Sequence, residues 1–141
     1  MKVRLQDVVD GILYANAETQ FYYHTESESV VMLLDSIYGV GKDKKLNADI
    51  DAHPDQYLPL PNEYEVDETA MMADFVDQVD DSTIASALFR VLDEDGNRAA
   101  RQFKQMIRSF EMESEWTEFR DACYEEIARM WCDENEIEVM E

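Results

Sequence analysis

The sequence predicts a single α+β domain over residues 1–141, in which an N-terminal helix and a β-hairpin pack with a C-terminal bundle of about four helices. Three patterns carry this expectation. Apolar residues near the N-terminus fall at helical spacing, two β-rich runs then flank a polar turn, and from Asp67 onward the apolar spacing is helical. A chain of 141 residues with 45% hydrophobic side chains can bury about two-thirds of its unfolded surface in one core.

The first helix rests on Leu5, Val8, Val9, Ile12 and Leu13, which share one face at i, i+3, i+4, i+7 and i+8, so it spans about Arg4 to Ala15. Phe21-Tyr22-Tyr23-His24 and Ser29-Val30-Val31-Met32-Leu33-Leu34 follow, separated by Thr25-Glu26-Ser27-Glu28. Their β-branched and aromatic content predicts a hairpin. An isolated hairpin is marginal in water, so it must lie on the first helix or gain a strand, for which Tyr57-Leu58 is the candidate. Such a strand would make a small antiparallel sheet.

Residues 35–62 carry Gly39, Gly41, Pro54, Pro59 and Pro61 and are expected to form an irregular connection between residues 1–34 and the helical part, 63–141. In that part Met71, Met72, Phe75, Val76 and Val79 make one stripe behind an Asp67 N-cap. Ile84, Ala85, Leu88, Val91 and Leu92 make the next behind Asp81 or Ser82, with Gly96 ending that helix or its following turn. Ala100, Phe103, Ile107 and Phe110 mark a third helix, and Trp116, Phe119, Cys123, Ile127, Met130 and Trp131 a fourth. There is no internal repeat.

Charge is the unusual property. Thirty-three Asp and Glu face 12 Lys and Arg, a net of −21. Residues 62–141 hold 23 of the acids and 7 of the bases. A field of this sign repels phosphate, disfavours nucleic acid and favours basic proteins, metal ions or simply solvation, and a solvated acidic surface is the plainer reading. Cys123 and Cys132 lie nine positions apart on one predicted helix, which opposes an internal disulfide and suits a reduced, intracellular setting. Neither a secretory signal nor an apolar run of about 18 residues is present, so export and membrane association are not expected.

The strings Leu60-Pro61-Asn62-Glu63-Tyr64-Glu65-Val66, Met72-Ala73-Asp74-Phe75, Arg101-Gln102-Phe103-Lys104, Trp116 with Phe119-Arg120-Asp121, and Trp131-Cys132-Asp133-Glu134-Asn135 occur in that order. In this the chain resembles uncharacterised protein family 0158. The resemblance covers most of the chain and is most specific in the C-terminal helices. It implies a bacterial, cytoplasmic protein of mixed α/β structure, and it implies no activity and no functional residues.

Catalytic and cofactor motifs are missing. Asp93-Glu94-Asp95-Gly96-Asn97 departs from the EF-hand, which needs Gly sixth and Glu twelfth, since Gly stands fourth and Lys104 twelfth. It suits a helix C-terminus followed by a polar turn. The histidines, His24 and His53, belong to no nucleophile motif. Cys123 on an apolar face is expected to be a small hydrophobe, and Asp133 and Glu134 should disfavour the Cys132 thiolate. Asp49, Asp51, His53 and Asp55 alternate, so an extended backbone would offer them to one divalent cation, although solvated loop acids explain the run as well and Pro54 interrupts it.

Arg98, Arg101, Lys104 and Arg108 gather on one flank of the third C-terminal helix. Internal pairing with acids of neighbouring helices is the expectation for this stripe, and a phosphate or acidic-partner site is the competing one. The expected function is non-catalytic: an acidic binding or regulatory protein that uses no cofactor and acts through a basic protein partner or self-association. The alternatives are a metal-dependent enzyme using the Asp49–Asp55 loop, and phosphate or nucleic-acid binding through the Arg98–Arg108 helix.

Overall fold

The computed structural model of the chain describes residues 1–16, 18–34, 42–62, 65–93 and 96–141, with backbone alone at 42, 43, 96 and 97. It is an α+β protein. In chain order its elements are β1 (Lys2–Arg4), α1 (Leu5–Tyr14), β2 (Thr19–His24), β3 (Ser29–Leu34), α2 (Lys42–Ala52), a 3-10 turn (Pro54–Gln56), β4 (Tyr57–Pro59), α3 (Glu68–Asp77), α4 (Ser82–Leu92), α5 (Gly96–Ser109), α6 (Glu113–Glu134) and β5 (Glu138–Met140). Contacts divide them into two compact units. One comprises Met1–Val66 with Tyr124–Glu141, the other Asp67–Cys123.

In the first unit, α1 buries Leu5, Val8, Gly11 and Ile12, the face expected from its spacing. The hairpin pairs β2 with β3 antiparallel, and β4 adds on the other side of β2, giving the order β3-β2-β4. The hairpin turn has no glycine and places Glu28 at φ 52 instead. Tyr23, next to the C-terminal end of β2, is fully buried, and its hydroxyl donates to the Lys2 carbonyl at 2.8 Å. That bond ties the sheet to β1, which pairs in parallel with β5 in the register Lys2↔Glu138, Val3↔Val139 and Arg4↔Met140. No sequence pattern anticipated this pair.

The expected irregular connection is helical over Lys42–Ala52, and Gly39 and Gly41 lie outside the described residues. Helix α2 carries two large apolar residues, Leu46 and Ile50, both half-buried, so no periodic stripe marks it. From the second half of α6 this unit receives Tyr124, Ala128, Trp131 and Cys132, all buried. The Trp131 indole N–H donates to the Pro59 carbonyl at 3.2 Å, joining α6 to β4. Met130, expected on the buried face, is 57% exposed, because it stands one residue, about 100°, from Trp131.

In the second unit, Asp67 caps α3 by accepting from the Ala70 N–H, and Asp81 caps α4 by accepting from Thr83 and Ile84. Helix α4 ends at Leu92 with Asp93 as its C-cap, so Gly96 does not end the helix itself but stands after it, as the first residue of α5. Helix α5 turns Ala99, Phe103 and Ile107 inward. Phe75, Phe103, Trp116 and Phe119 form an aromatic cluster with centroid separations from 5.1 to 6.5 Å, mostly edge-to-face. This cluster is the centre of the unit.

Candidate functional site

The helix stripes that build the second unit also leave a cleft beside its aromatic cluster. Its volume is about 620 Å³, within the range of small-ligand and side-chain pockets. Phe75 and Phe119 form part of the lining with Val79, Ile84 and Met112, all buried or half-buried. Asp80, Asp81, Glu115 and Glu118 are exposed around it, and among the described residues no basic side chain is in the lining. Three helices and the connections beside them supply these residues, with Val79, Asp80 and Asp81 between α3 and α4 and Met112 between α5 and α6. Phe75 comes from α3, Ile84 from α4, and Glu115, Glu118 and Phe119 from α6. A wall of this kind suits an apolar group that carries positive charge.

The basic stripe lies elsewhere in the same unit. Arg98, Arg101, Lys104 and Arg108 are all exposed on α5, since the buried residues 99, 103 and 107 turn the other flank outward. Lys104 Nζ is 4.0 Å from Glu68 Oε1. Among the described residues no ion pair joins Arg101 or Arg108 to a carboxylate. The expected internal pairing is thus met at Lys104 and not at those two arginines.

The run Asp49, Asp51, His53 and Asp55 is not extended. Asp49 and Asp51 sit on α2, where neighbours two apart diverge, His53 follows the helix, and Asp55 lies in the 3-10 turn. Asp49 Oδ1 and His53 Nε2 approach to 3.9 Å as an i, i+4 pair. Among the described residues no group of three or more His, Cys, Asp or Glu is placed to hold a metal ion. The extended backbone that would have offered these four side chains to one cation is replaced by a helix and a 3-10 turn.

The model of Uncharacterised protein family (UPF0158) matches residues 1–141, the whole chain. The chain belongs to this family. Comparison with curated proteins and with solved structures finds no match. Among the described residues of this UPF0158 protein, no helix is long and apolar enough to cross a membrane.

Two polar groupings of the first unit were not visible in the sequence. The Tyr57 hydroxyl donates to Asp49 Oδ2, and this bond, with burial, pushes the phenol up to about 12. The His24 ring stacks on Tyr57 at 4.5 Å, and its Nδ1 lies 2.8 Å from Ser27 Oγ, which is 2.7 Å from Ser29 Oγ. His24 thus does meet a hydroxyl, within the hairpin turn three residues on. The acid of this grouping, Asp49, bonds Tyr57 rather than His24, so the parts do not form a relay. Cys132 is buried and its thiol is raised, first by burial; Arg129 acts in the opposite direction. The expected thiolate penalty holds, but its first cause is loss of water, not Asp133 and Glu134.

Proposed function

We propose that this UPF0158 protein is a non-catalytic binding protein of the cytoplasm, whose second unit engages a basic protein partner in the acid-lined cleft. The cleft itself carries the proposal: apolar walls from Phe75, Ile84, Met112 and Phe119, four exposed carboxylates around them, and, among the described residues, no basic one in the lining. A Lys or Arg side chain meets this arrangement with its methylene stem on the aromatic wall and its charge among the acids. The net charge of −21 steers such a partner toward the whole molecule, and the cleft selects it at short range.

The test is calorimetric titration with a helical peptide of alternating Lys and Leu faces, against the same peptide with Glu for Lys. Binding of the basic peptide that weakens with salt, and weakens at least about tenfold (about 1.4 kcal/mol) in Glu115→Lys/Glu118→Lys, supports the proposal. Equal affinity for both peptides, or no effect of the charge reversal, refutes it.

A second reading has its own observation. Arg101 and Arg108 are exposed with no ion-pair partner among the described residues, which suits phosphate or nucleic acid on α5. Binding of RNA or DNA with a steep salt slope, abolished by Arg101→Glu at unchanged stability, supports this reading over the first.

A further inference from the structure

Strand β5 has one edge that the fold leaves open. The Glu138 N–H donates to the Met1 carbonyl at 2.8 Å, which sets the alternation of the parallel pair. Glu138 and Met140 turn their backbone groups toward β1, and Val139 turns its N–H and C=O outward. Among the described residues no strand pairs with that side of β5, and no hydrogen bond reaches the Val139 backbone. The far edge of the pair differs. At Lys2, whose backbone faces away from β5, the N–H donates to Glu28 Oε2 and the carbonyl accepts from the Tyr23 hydroxyl, both at 2.8 Å. Side chains seal one edge and leave the other.

Beside β5 a cleft of about 460 Å³ lies between it and the second half of α6, lined by Arg129, Met130, Asp133, Ile137 and Val139. Met130 is 57% exposed there. Arg129 is already engaged by Glu125 and Glu141, whereas Asp133 and Glu138 are exposed carboxylates. Unpaired backbone, an apolar slot and an acidic border thus coincide within the first unit.

We propose that β5 accepts, by strand addition, an extended basic segment of another protein. The segment's backbone bonds Val139, one of its apolar side chains enters the slot beside Met130, Ile137 and Val139, and its Lys or Arg side chains meet Asp133 and Glu138. Backbone bonds supply affinity in this mode, and the slot and charges supply selection. Charge also decides the occupant. A second copy would bring another Glu138 and a further net −21 to the same edge, whereas a basic segment is drawn by that field. This site does not depend on the cleft of the second unit.

The experiment uses the full-length protein and a capped synthetic peptide of alternating Lys and Val, with amide hydrogen exchange read by NMR. Exchange at Val139 slows at least about tenfold at saturating peptide, while Glu138 and Met140, already in the ladder, change little. The peptide with Glu for Lys has no effect. Val139→Pro removes the outward N–H at an edge position where proline is tolerated, and weakens the basic peptide at least about tenfold. Met130→Lys, at an exposed position, places a cation in the slot and weakens it about threefold or more. Unchanged Val139 exchange with peptide bound, or undiminished binding by both variants, overturns the proposal. Slowed exchange that follows protein concentration alone also overturns it, in favour of a second copy. Val139 belongs to the first unit, so failure here is separable from failure of the cleft reading, which is measured in the second.

Discussion

Gly11→Ala sets two effects of known size against each other. Gly11 lies inside α1, where alanine improves a helix by about 0.5–1 kcal/mol. It also faces inward, and a Cβ built there sits 2.6 Å from Leu60 Cδ2 and 3.4 Å from Phe21 Cβ. Leu60 must therefore withdraw by about 0.8 Å, from 2.6 to 3.4 Å, although it is itself 5% exposed and enclosed. Overpacking of this kind costs about 1–3 kcal/mol, so crowding outweighs propensity and the net loss is about 1 kcal/mol. Urea unfolding followed by Trp131, which shares the first unit with Gly11, should show a midpoint lowered by about 0.3–1 M. Leu60→Ala alone costs about 2–5 kcal/mol, and combined with Gly11→Ala it costs less than the sum, with a coupling of about 0.5–3 kcal/mol. A stabilised Gly11→Ala, or strict additivity, would refute the reasoning and show that Leu60 has room to move.

Three further outcomes are expected. Trp131→Ala lowers stability by about 3–5 kcal/mol, and Trp131→Phe, which loses chiefly the bond to Pro59, by about 1–2 kcal/mol, both measured by chemical denaturation with circular dichroism. Tyr57 ionises near pH 12 in the native protein, and Asp49→Asn moves this down toward 10, as tyrosinate absorbance will report. Because the folded phenol is raised, its stabilising contribution is complete below pH 10 and is lost between 10 and 12. Cys132, buried and raised, resists alkylation at neutral pH until the protein unfolds; mass spectrometry showing native labelling at the unfolded rate would contradict this.

Elements that bury a continuous stripe were legible in the sequence. Leu5, Val8 and Ile12 mark α1, and Phe103 and Ile107 mark α5, because burial on one face forces the spacing. The hairpin was legible through β-branched and aromatic runs, whereas the strand at Tyr57 was only a candidate, offered because a lone hairpin is marginal. Helix α2 was not, since an exposed helix needs no stripe and the surrounding Gly and Pro resemble loop punctuation. The β1–β5 pair was hidden for a different reason. Three-residue strands have no measurable period, and their pairing joins residues 2 and 138. The acid-lined cleft assembles Phe75, Ile84 and Glu118 from separate helices, so composition announces the acids while only packing reveals the apolar wall beside them. In the basic stripe, spacing showed the shared flank of Arg101 and Arg108 but not whether carboxylates come within reach.

The parallel pair also sets an order on synthesis. Lys2 and Glu138 are separated by 136 residues, so at about 5–20 residues per second β1 waits roughly 7–27 s for its partner strand. The second unit is one continuous stretch, Asp67–Cys123, and has every residue it needs before β5 is made. The first unit must hold α1 and the hairpin without β5, Trp131 or Ala128 until the last residues arrive. A nascent chain therefore completes its middle before its ends. The surface that α6 and β5 finally cover, around Val3 and Tyr23, is the surface a chaperone would find exposed in the interval.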